Sequence, residues 1–387
     1  MMYKKTTFVI FNRLVKICAV IAIFTSCVSY SVDFEALRKI YSQPSHLWPK
    51  AEVDESINAI EIGLLPAVTF PKENPYQANK HKLGEHLFHD GKLSRSKQIA
   101  CATCHDHDLG WADGRKASFG HNRQKGKRNA PTIENVAFGT EFFWDGRAQT
   151  LEQQALMPIQ DPLEMYFTLP ELEARLKQDR QYLTLFKAAY GSDEITAKKI
   201  AMALATYQRT LVSQRSDFDR FLLAPEQKNN KMQKIYNSAM SDKAIWGMHL
   251  FRTKAGCMNC HYGATFSDKK FHNLGLTYYK RKYQDLGRYE YTKQPEDVGK
   301  FKTPGLRGVL NTKPWMHNGF FGDLTGLLNF YNAGGVQIKK NNLDALSPKT
   351  SNLLKPLSLN NEEISALIAF LQAISPAPAH NSAARIQ

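Results

Sequence analysis

The sequence has few cysteines, and none of them is left over for a structural disulfide. Of the six cysteines, Cys18 and Cys27 lie near the N-terminus, and the other four belong to two CxxCH motifs. The motifs are Cys101-Ala-Thr-Cys104-His105 and Cys257-Met-Asn-Cys260-His261. A small scaffold stapled by disulfides is therefore excluded.

The N-terminal segment lacks acidic residues and also lacks an apolar run long enough to cross a membrane. It carries Lys4, Lys5, Arg13 and Lys16 ahead of or beside the short apolar run from Ile17 to Phe24. A transmembrane helix needs about 18 or more apolar residues, so this pattern favours a secretory signal peptide over residues 1–27. We therefore expect export to the periplasm.

Cys27 ends the stretch Phe24-Thr-Ser-Cys27, which resembles the cleavage box of a lipoprotein, although Phe is unusual at its first position. Lipidation would give the protein a membrane anchor at Cys27. Ordinary cleavage nearby would leave no anchor, and the sequence leaves both alternatives open.

Acidic residues are in the minority, with 36 Asp and Glu against 51 Lys and Arg. The formal charge of +15 includes four cations in residues 1–27, so the remainder carries +11. A basic surface favours an acidic partner and faster association at low salt. Nucleic acid is not expected as a partner, because the chain is exported and its basic residues are dispersed. A homodimer is compatible with the sequence.

No run of alternating apolar and polar residues indicates a β-strand, so we expect a mainly α-helical fold. Apolar residues three or four apart predict helices over 170–190, 193–212 and 361–374. Ser192 or Asp193 would cap the second of these, and Asn360 or Asn361 the third. Residues 106–150 and 262–335 are rich in Gly, Asn and Pro and are expected to be long ordered loops.

The two CxxCH motifs are preceded by similar segments, Gly84-Glu-His-Leu-Phe88 and Gly247-Met-His-Leu-Phe251. This weak repeat predicts two cytochrome c-like domains that arose by duplication. We assign residues 28–75 to an N-terminal extension, 76–220 and 221–375 to the two domains, and 376–387 to a flexible tail.

A CxxC pair in an oxidising compartment could form a disulfide or half of a zinc site. A His directly after the second Cys, in both motifs, favours c-type haem attachment instead. Each pair of cysteines would form thioethers to one haem, and His105 and His261 would bind the two irons. An iron with a free sixth position can bind peroxide, whereas two fully ligated irons only move electrons.

Many short motifs recur along the chain in one order. Those of the N-terminal half are Leu83-Gly-x-x-Leu87-Phe88-x-Asp90, Leu109-Gly-Trp-Ala-Asp113-Gly114, Gly120-His121, Arg128-Asn-Ala-Pro131-Thr132, Phe143-Trp-Asp-Gly-Arg147 and Pro158-Ile-Gln-x-Pro162-x-Glu164-Met165. Those of the C-terminal half are Phe271-His-Asn-x-Gly275, Asp285-x-Gly-Arg288, Phe301-Lys-Thr-Pro304-x-Leu-Arg307, Thr312-x-Pro314 and His317-Asn-Gly319. With them the chain resembles the bacterial di-haem cytochrome c peroxidases and their MauG branch, from about Gln77 to Ala373.

The resemblance implies that the haem on His105 is the peroxidatic one. Gln154 and Glu164 would line its distal pocket, with Glu164 as the acid/base that moves protons. His121 would cap this iron in the fully oxidised state and leave when the other haem is reduced. Trp144 would lie between the haems and relay electrons. The plainer alternatives are a solvated loop carboxylate, an exposed loop histidine and a buried structural tryptophan.

The resemblance also implies a calcium ion held by Asn129, Thr312 and Pro314, whose side-chain and carbonyl oxygens suit a hard cation. In the peroxidases a Met fourteen residues after the His of the His-x-Gly turn binds the second iron, and here that position is Tyr331. A tyrosine ligand is typical of the MauG branch and would lower the potential of the second haem. Met316 is the rival ligand.

Ala255 occupies the position where MauG has a Trp that carries electrons from its protein substrate. This departure and the presence of His121 favour a peroxidase. We therefore expect reduction of hydrogen peroxide to water with electrons from a small acidic cytochrome c or copper protein. The alternatives are oxidation of protein side chains, as by MauG, and plain electron transfer.

Overall fold

The computed structural model describes residues 32–337 and 344–377. The expected signal peptide over 1–27, including Cys27, and residues 378–387 of the expected tail lie outside the described residues. Within the described ranges, no helix is both long enough and apolar enough to cross a membrane.

The described chain is mainly α-helical, as expected, and its only sheet pairs two short antiparallel strands, β1 (Phe271–His272) and β2 (Phe301–Lys302). The helices of the N-terminal half are α1 (Phe34–Tyr41), α2 (Ala78–His89), α3 (Leu151–Gln160), α4 (Leu169–Lys177), α5 (Arg180–Tyr190), α6 (Ala197–Arg209) and α7 (Asp217–Leu222). Those of the C-terminal half are α8 (Asn230–Asn237), α9 (Asp242–Arg252), α10 (Tyr289–Thr292), α11 (Leu324–Asn332) and α12 (Asn361–Ala373).

Helix boundaries depart from the sequence pattern where a polar side chain caps the backbone. The predicted helix over 170–190 is two helices, because Asp179 accepts a hydrogen bond from the N–H of Gln181 and starts α5. Helix α6 begins after Thr196 rather than at Ser192 or Asp193, since the Thr196 hydroxyl accepts from the N–H of Lys199. The third prediction is confirmed, with Asn360 capping α12.

The two long stretches expected to be loops are ordered but not free of secondary structure. The first, 106–150, is built from short 3₁₀ turns and isolated bridges such as Phe119 with Lys125. The second, 262–335, contains β1, β2, α10 and α11. Helix α11 is apolar but only nine residues long, a length at which apolar spacing does not separate a helix from other structure.

Each CxxCH motif follows a helix that crosses a second helix at a glycine. In α2, a Cβ on Gly84 would lie 2.0 Å from the carbonyl oxygen of Ala203 in α6. In α9, a Cβ on Gly247 would lie 1.9 Å from the carbonyl oxygen of Ala366 in α12. Only glycine allows either pair of helices to approach so closely. This parallel fits the expected duplication, which stays a prediction, as do the boundaries of the two domains.

Buried apolar side chains form two large clusters. One is built by α2 to α6 around residues such as Leu87, Phe186 and Leu204. The other is built by α7, α9 and α12 around residues such as Phe251 and Phe370.

The N-terminal extension packs on the second cluster, to which it contributes Tyr41, Trp48 and Ile62. The buried guanidinium of Arg252 holds it there through Glu61 and the carbonyl oxygen of Pro49.

Candidate haem sites

A large cavity of about 1220 Å³ is lined by all six cysteines and histidines of the two motifs, Cys101, Cys104, His105, Cys257, Cys260 and His261. Each motif forms one 3₁₀ turn, at Cys101–Thr103 and at Cys257–Asn259. The turn places both thiols and the following imidazole of each motif on the cavity. Two motifs at least 152 positions apart in sequence, from His105 to Cys257, thus meet around a volume that suits large planar groups.

Both histidines are oriented in the same way by a backbone carbonyl. Nδ1 of His105 lies 3.0 Å from the carbonyl oxygen of Trp111, and Nδ1 of His261 lies 2.8 Å from that of Phe266. A carbonyl only accepts, so Nδ1 carries the proton and Nε2 keeps its lone pair. Burial lowers the pKa of both imidazoles, which keeps them neutral. Two neutral imidazoles with a free Nε2 suit two haem irons.

The four cysteines are free thiols in the described structure. Burial raises the pKa of Cys101 and Cys257 to about 12 and that of Cys104 to about 11. Zinc binds thiolates and deprotonates the thiols that it coordinates. The thiol of Cys260 does approach Asp268 and His272. That histidine pairs with the carboxylate of Asp268 at 2.7 Å.

Glu164 stands in the cavity wall with Gln154, close to the first motif. It lies in a tight turn after α3, where its N–H donates to the carbonyl oxygen of Asp161 at 3.0 Å. Burial raises the pKa of Glu164 to about 7, and the Asp161 carboxylate adds to the rise while Arg147 opposes it. The charge of Glu164 in turn raises the pKa of the thiols of Cys101 and Cys104. The structure therefore places Glu164 near the first motif, and Gln154 lines the same cavity.

His121 lies against the Glu164 turn but not in the cavity wall. Its N–H donates to the carbonyl oxygen of Glu164 at 2.7 Å, and its Nδ1 is buried without a hydrogen-bond partner among the described residues. The hairpin around His121 packs tightly on the turn that contains Glu164, because a Cβ on Gly120 would lie 2.0 Å from the carbonyl oxygen of Leu163. The expected capping of the iron by His121 therefore stays a prediction that this arrangement does not itself display.

Trp144 lies in the cavity wall, where its Nε1 donates to the carbonyl oxygen of Asn129 at 2.9 Å. Its ring centroid is 6.5 Å from that of His317, which stacks on Phe301 at 3.5 Å. The three rings form a continuous aromatic wall. Burial lowers the pKa of His317 to about 4, so this wall carries no charge at neutral pH.

The three expected calcium ligands are all residues of the cavity wall. Asn129, Thr312 and Pro314 all line the cavity, and the N–H of Asn129 donates to the carbonyl oxygen of His317 at 2.7 Å. The Asn129 amide nitrogen donates to the carbonyl oxygen of Arg115 at 2.7 Å, which turns its side-chain oxygen the other way. No described residue donates a hydrogen bond to that oxygen, so it suits a hard cation.

Tyr331 and Met316 both line the cavity, so both stay candidate ligands of the second iron. Tyr331 lies in α11, and the thiols of Cys257 and Cys260 contribute to raising the pKa of its phenol, after the larger effect of burial. Met316 follows the cis peptide between Lys313 and Pro314. The electrostatic coupling to both cysteines of the second motif puts Tyr331 close to that motif.

An ion-pair cluster joins three of the motifs, which was not anticipated from the sequence. Arg128 binds both oxygens of Asp285 at 2.7 Å and also binds Asp145 at 2.6 Å. Arg147 pairs with the same Asp145 at 3.0 Å. Each of these residues belongs to one of the motifs of the family pattern. A search for partners among the motif residues could therefore have indicated their pairing.

Glu134 and Lys302 also line the cavity, and the sequence motifs give neither of them a role. Burial raises the pKa of Glu134 to about 7 and lowers that of Lys302 to about 8. Sequence alone gives no signal for either shift, because both depend on long-range burial.

The chain is similar to di-haem peroxidases and to MauG proteins. The profile of the di-haem cytochrome c peroxidase family matches residues 78–228. The methylamine utilization protein MauG of Methylorubrum extorquens is 39% identical over 314 residues, 81% of this chain and 83% of the relative. The cytochrome-c peroxidase IdrP1 of Denitromonas iodatirespirans is 37% identical, over 81% of this chain and 86% of the relative.

Among solved structures, the fold is similar to the crystal structure of a MauG-like protein associated with microbial copper homeostasis. The TM-score is 0.70 at 28% identity, over 83% of this chain and 97% of the other. Sequence, fold and the paired histidine sites agree with one another. This chain therefore belongs to the di-haem cytochrome c peroxidase family, an oxidoreductase family whose members hold two haems.

Proposed function

We propose that the chain is an exported c-type peroxidase that reduces hydrogen peroxide to water with electrons from a small acidic cytochrome c or copper protein. The observation that carries this proposal is the position of Glu164. Its carboxyl stands in the same cavity wall as His105 and the first pair of cysteines. Its pKa of about 7 lets it both accept and release a proton near neutral pH. The names of the relatives, peroxidases and MauG, support the same chemistry.

Two haems would be attached through Cys101 and Cys104 and through Cys257 and Cys260, and held by Nε2 of His105 and His261. When bound, they supply the iron on which peroxide is reduced and a store for electrons. Glu164 as carboxylate takes a proton from the near oxygen of peroxide and returns it to the far oxygen, which leaves as water. Gln154 orients the peroxide by hydrogen bonds. Two electrons and two protons complete the conversion of one peroxide to two waters.

The remaining predicted residues would serve electron flow. Trp144 and the aromatic wall it forms with His317 and Phe301 offer a short route across the cavity. Tyr331, beside the second motif, would bind the second iron through its phenolate oxygen and hold it ferric. Asn129, Thr312 and Pro314 would bind a calcium ion that fixes the wall near Trp144.

The decisive experiment mixes the purified protein with hydrogen peroxide, with and without prior one-electron reduction, and follows the haem spectrum and peroxide loss. Peroxide consumption that continues with a reduced small cytochrome c supports the peroxidase. A protein that exchanges electrons but leaves peroxide untouched would be a plain electron-transfer cytochrome.

A second function, oxidation of protein side chains as by MauG, is favoured by one observation, the placement of Tyr331 beside the second motif. A spectral response to peroxide without prior reduction would support it. Ala255 opposes it, because this residue is a small side chain, 4% exposed, where MauG has a Trp that carries electrons from its substrate.

A further inference from the structure

A surface loop at 278–283 carries three tyrosines and three basic residues and no acidic one. Each cation lies near a tyrosine ring, with Arg281 5.0 Å from the ring centre of Tyr278 and Lys282 5.2 Å from that of Tyr283. The Tyr283 side chain is 76% exposed. Tyrosine and arginine are the residues that contribute most to binding at protein interfaces.

The charge of this loop is only partly neutralised. Lys280 pairs with Asp344, which also accepts a hydrogen bond of 2.8 Å from the hydroxyl of Tyr279. No carboxylate in the described part of the chain pairs with Arg281 or Lys282. The loop therefore presents two uncompensated cations beside exposed aromatic surface.

The two ends of the loop are joined by hydrogen bonds between Thr277 and Asp285, a pair that we call the neck, and the neck lies next to the haem cavity. The N–H of Asp285 donates to the carbonyl oxygen of Thr277 at 2.9 Å, and the Thr277 hydroxyl donates back to the carbonyl oxygen of Asp285. Leu274 and Leu276, just before the neck, line the cavity. A partner on the loop would thus sit close to the cavity wall.

From the neck, a packed route leads inward. Asp285 binds Arg128 at 2.7 Å, and the Arg128 guanidinium lies 5.4 Å from the ring centre of Phe301. Phe301 stacks on His317, whose ring lies 6.5 Å from that of Trp144. Each of these side chains except Asp285 lines the cavity.

We propose that the 278–283 loop is the docking surface for the acidic electron donor. The inference rests on the proposed function, because it assumes that electrons arrive from a protein. Charge complementarity selects an acidic partner, the exposed tyrosines supply contact area, and the neck places the donor over the route to Trp144. One electron passes from the donor to the protein at each encounter, which leaves the donor oxidised by one electron.

The test measures reduction of the fully oxidised holoprotein by a reduced acidic cytochrome c, in a stopped-flow experiment at low ionic strength. The variant Arg281→Glu/Lys282→Glu should lower the second-order rate constant about tenfold or more, the scale of electrostatic steering. The matched control is Lys231→Glu/Lys234→Glu, which makes the same charge change on two exposed residues of α8. The control should stay close to the parent, and a basic cytochrome c should react faster with the loop variant than with the parent.

An equal fall in both variants would assign the effect to net charge and overturn the docking surface, and so would no fall in either. Loss of binding to anionic lipid vesicles in the loop variant, with cytochrome reduction unchanged, would assign the loop to a membrane surface and also overturn it. The peroxide reaction of the pre-reduced protein is measured separately. If that reaction fails while donor reduction depends on the loop, the proposed peroxidase function falls and the docking surface stands.

Discussion

The N–H of His121 donates a 2.7 Å hydrogen bond to the carbonyl oxygen of Glu164, so the loop histidine and the candidate acid/base are joined through the backbone. Gly120 lets the two segments approach more closely than a side chain would allow. Movement of the His121 hairpin requires breaking this bond. The position of the hairpin and the position of Glu164 are therefore linked.

Glu164→Gln should lower peroxide turnover about 100-fold or more, because an amide cannot shuttle the proton. Haem content and the spectra of both haems should match the parent. Glu134→Gln is the matched control, since Glu134 is a second carboxyl of the cavity wall whose pKa burial raises to about 7. Steady-state peroxide consumption measures both, and equal losses in the two variants would remove Glu164 from its special role.

Turnover should rise as the pH increases through about 7, because burial raises the pKa of Glu164 to about 7 and the carboxylate is the form that accepts the proton. Below that pH the carboxyl is already protonated and turnover falls. A pH profile of kcat/KM checks this, and Glu134→Gln should keep the rising limb. A flat profile in the parent would contradict the assignment.

His121→Gly should leave the first haem five-coordinate even when both irons are ferric. The change removes the imidazole but keeps the backbone bond to Glu164. Asn122→Gly is the control in the same hairpin, at a residue whose φ of 53° glycine adopts readily. Absorption and electron paramagnetic resonance spectra distinguish the states, and a high-spin resting spectrum in the parent would end the capping role.

Tyr331→Met should raise the reduction potential of the second haem, because a phenolate stabilises ferric iron and a thioether does not. The variant should also depend more strongly on prior reduction for its reaction with peroxide. Met316→Leu is the control and should leave the potential unchanged. A redox titration decides between them, and a shift in Met316→Leu alone would make Met316 the ligand.

Gly84→Ala and Gly247→Ala should each destabilise the protein by about 1–3 kcal/mol, because an added Cβ would force two packed helices apart. Gly63→Ala is the control, since no atom lies within 4 Å of the position of its Cβ. Denaturant unfolding of the holoprotein measures the free energies. Similar stability of all three variants would show that the helix crossings are not tightly packed.

The sequence by itself determined the features that depend on near neighbours. The CxxCH spacing identified the residues around the cavity, and apolar periodicity together with Asn360 predicted α12 almost to its ends. The family motifs supplied the chain's membership, which the comparisons confirm. Apolar periodicity did not predict the boundary between α4 and α5. That boundary is set by Asp179, which caps α5 without changing the apolar spacing around it.

Only the tertiary structure decided which distant groups meet and what surrounds them. The pairing of Arg128 with Asp285 and Asp145 joins residues up to 157 positions apart. The raised pKa of Glu164 arises mainly from its burial in the folded chain. The position of His121 outside the cavity wall depends on how its hairpin packs on Leu163 and Glu164. Such properties follow from long-range contacts and desolvation, which local spacing along the chain does not encode.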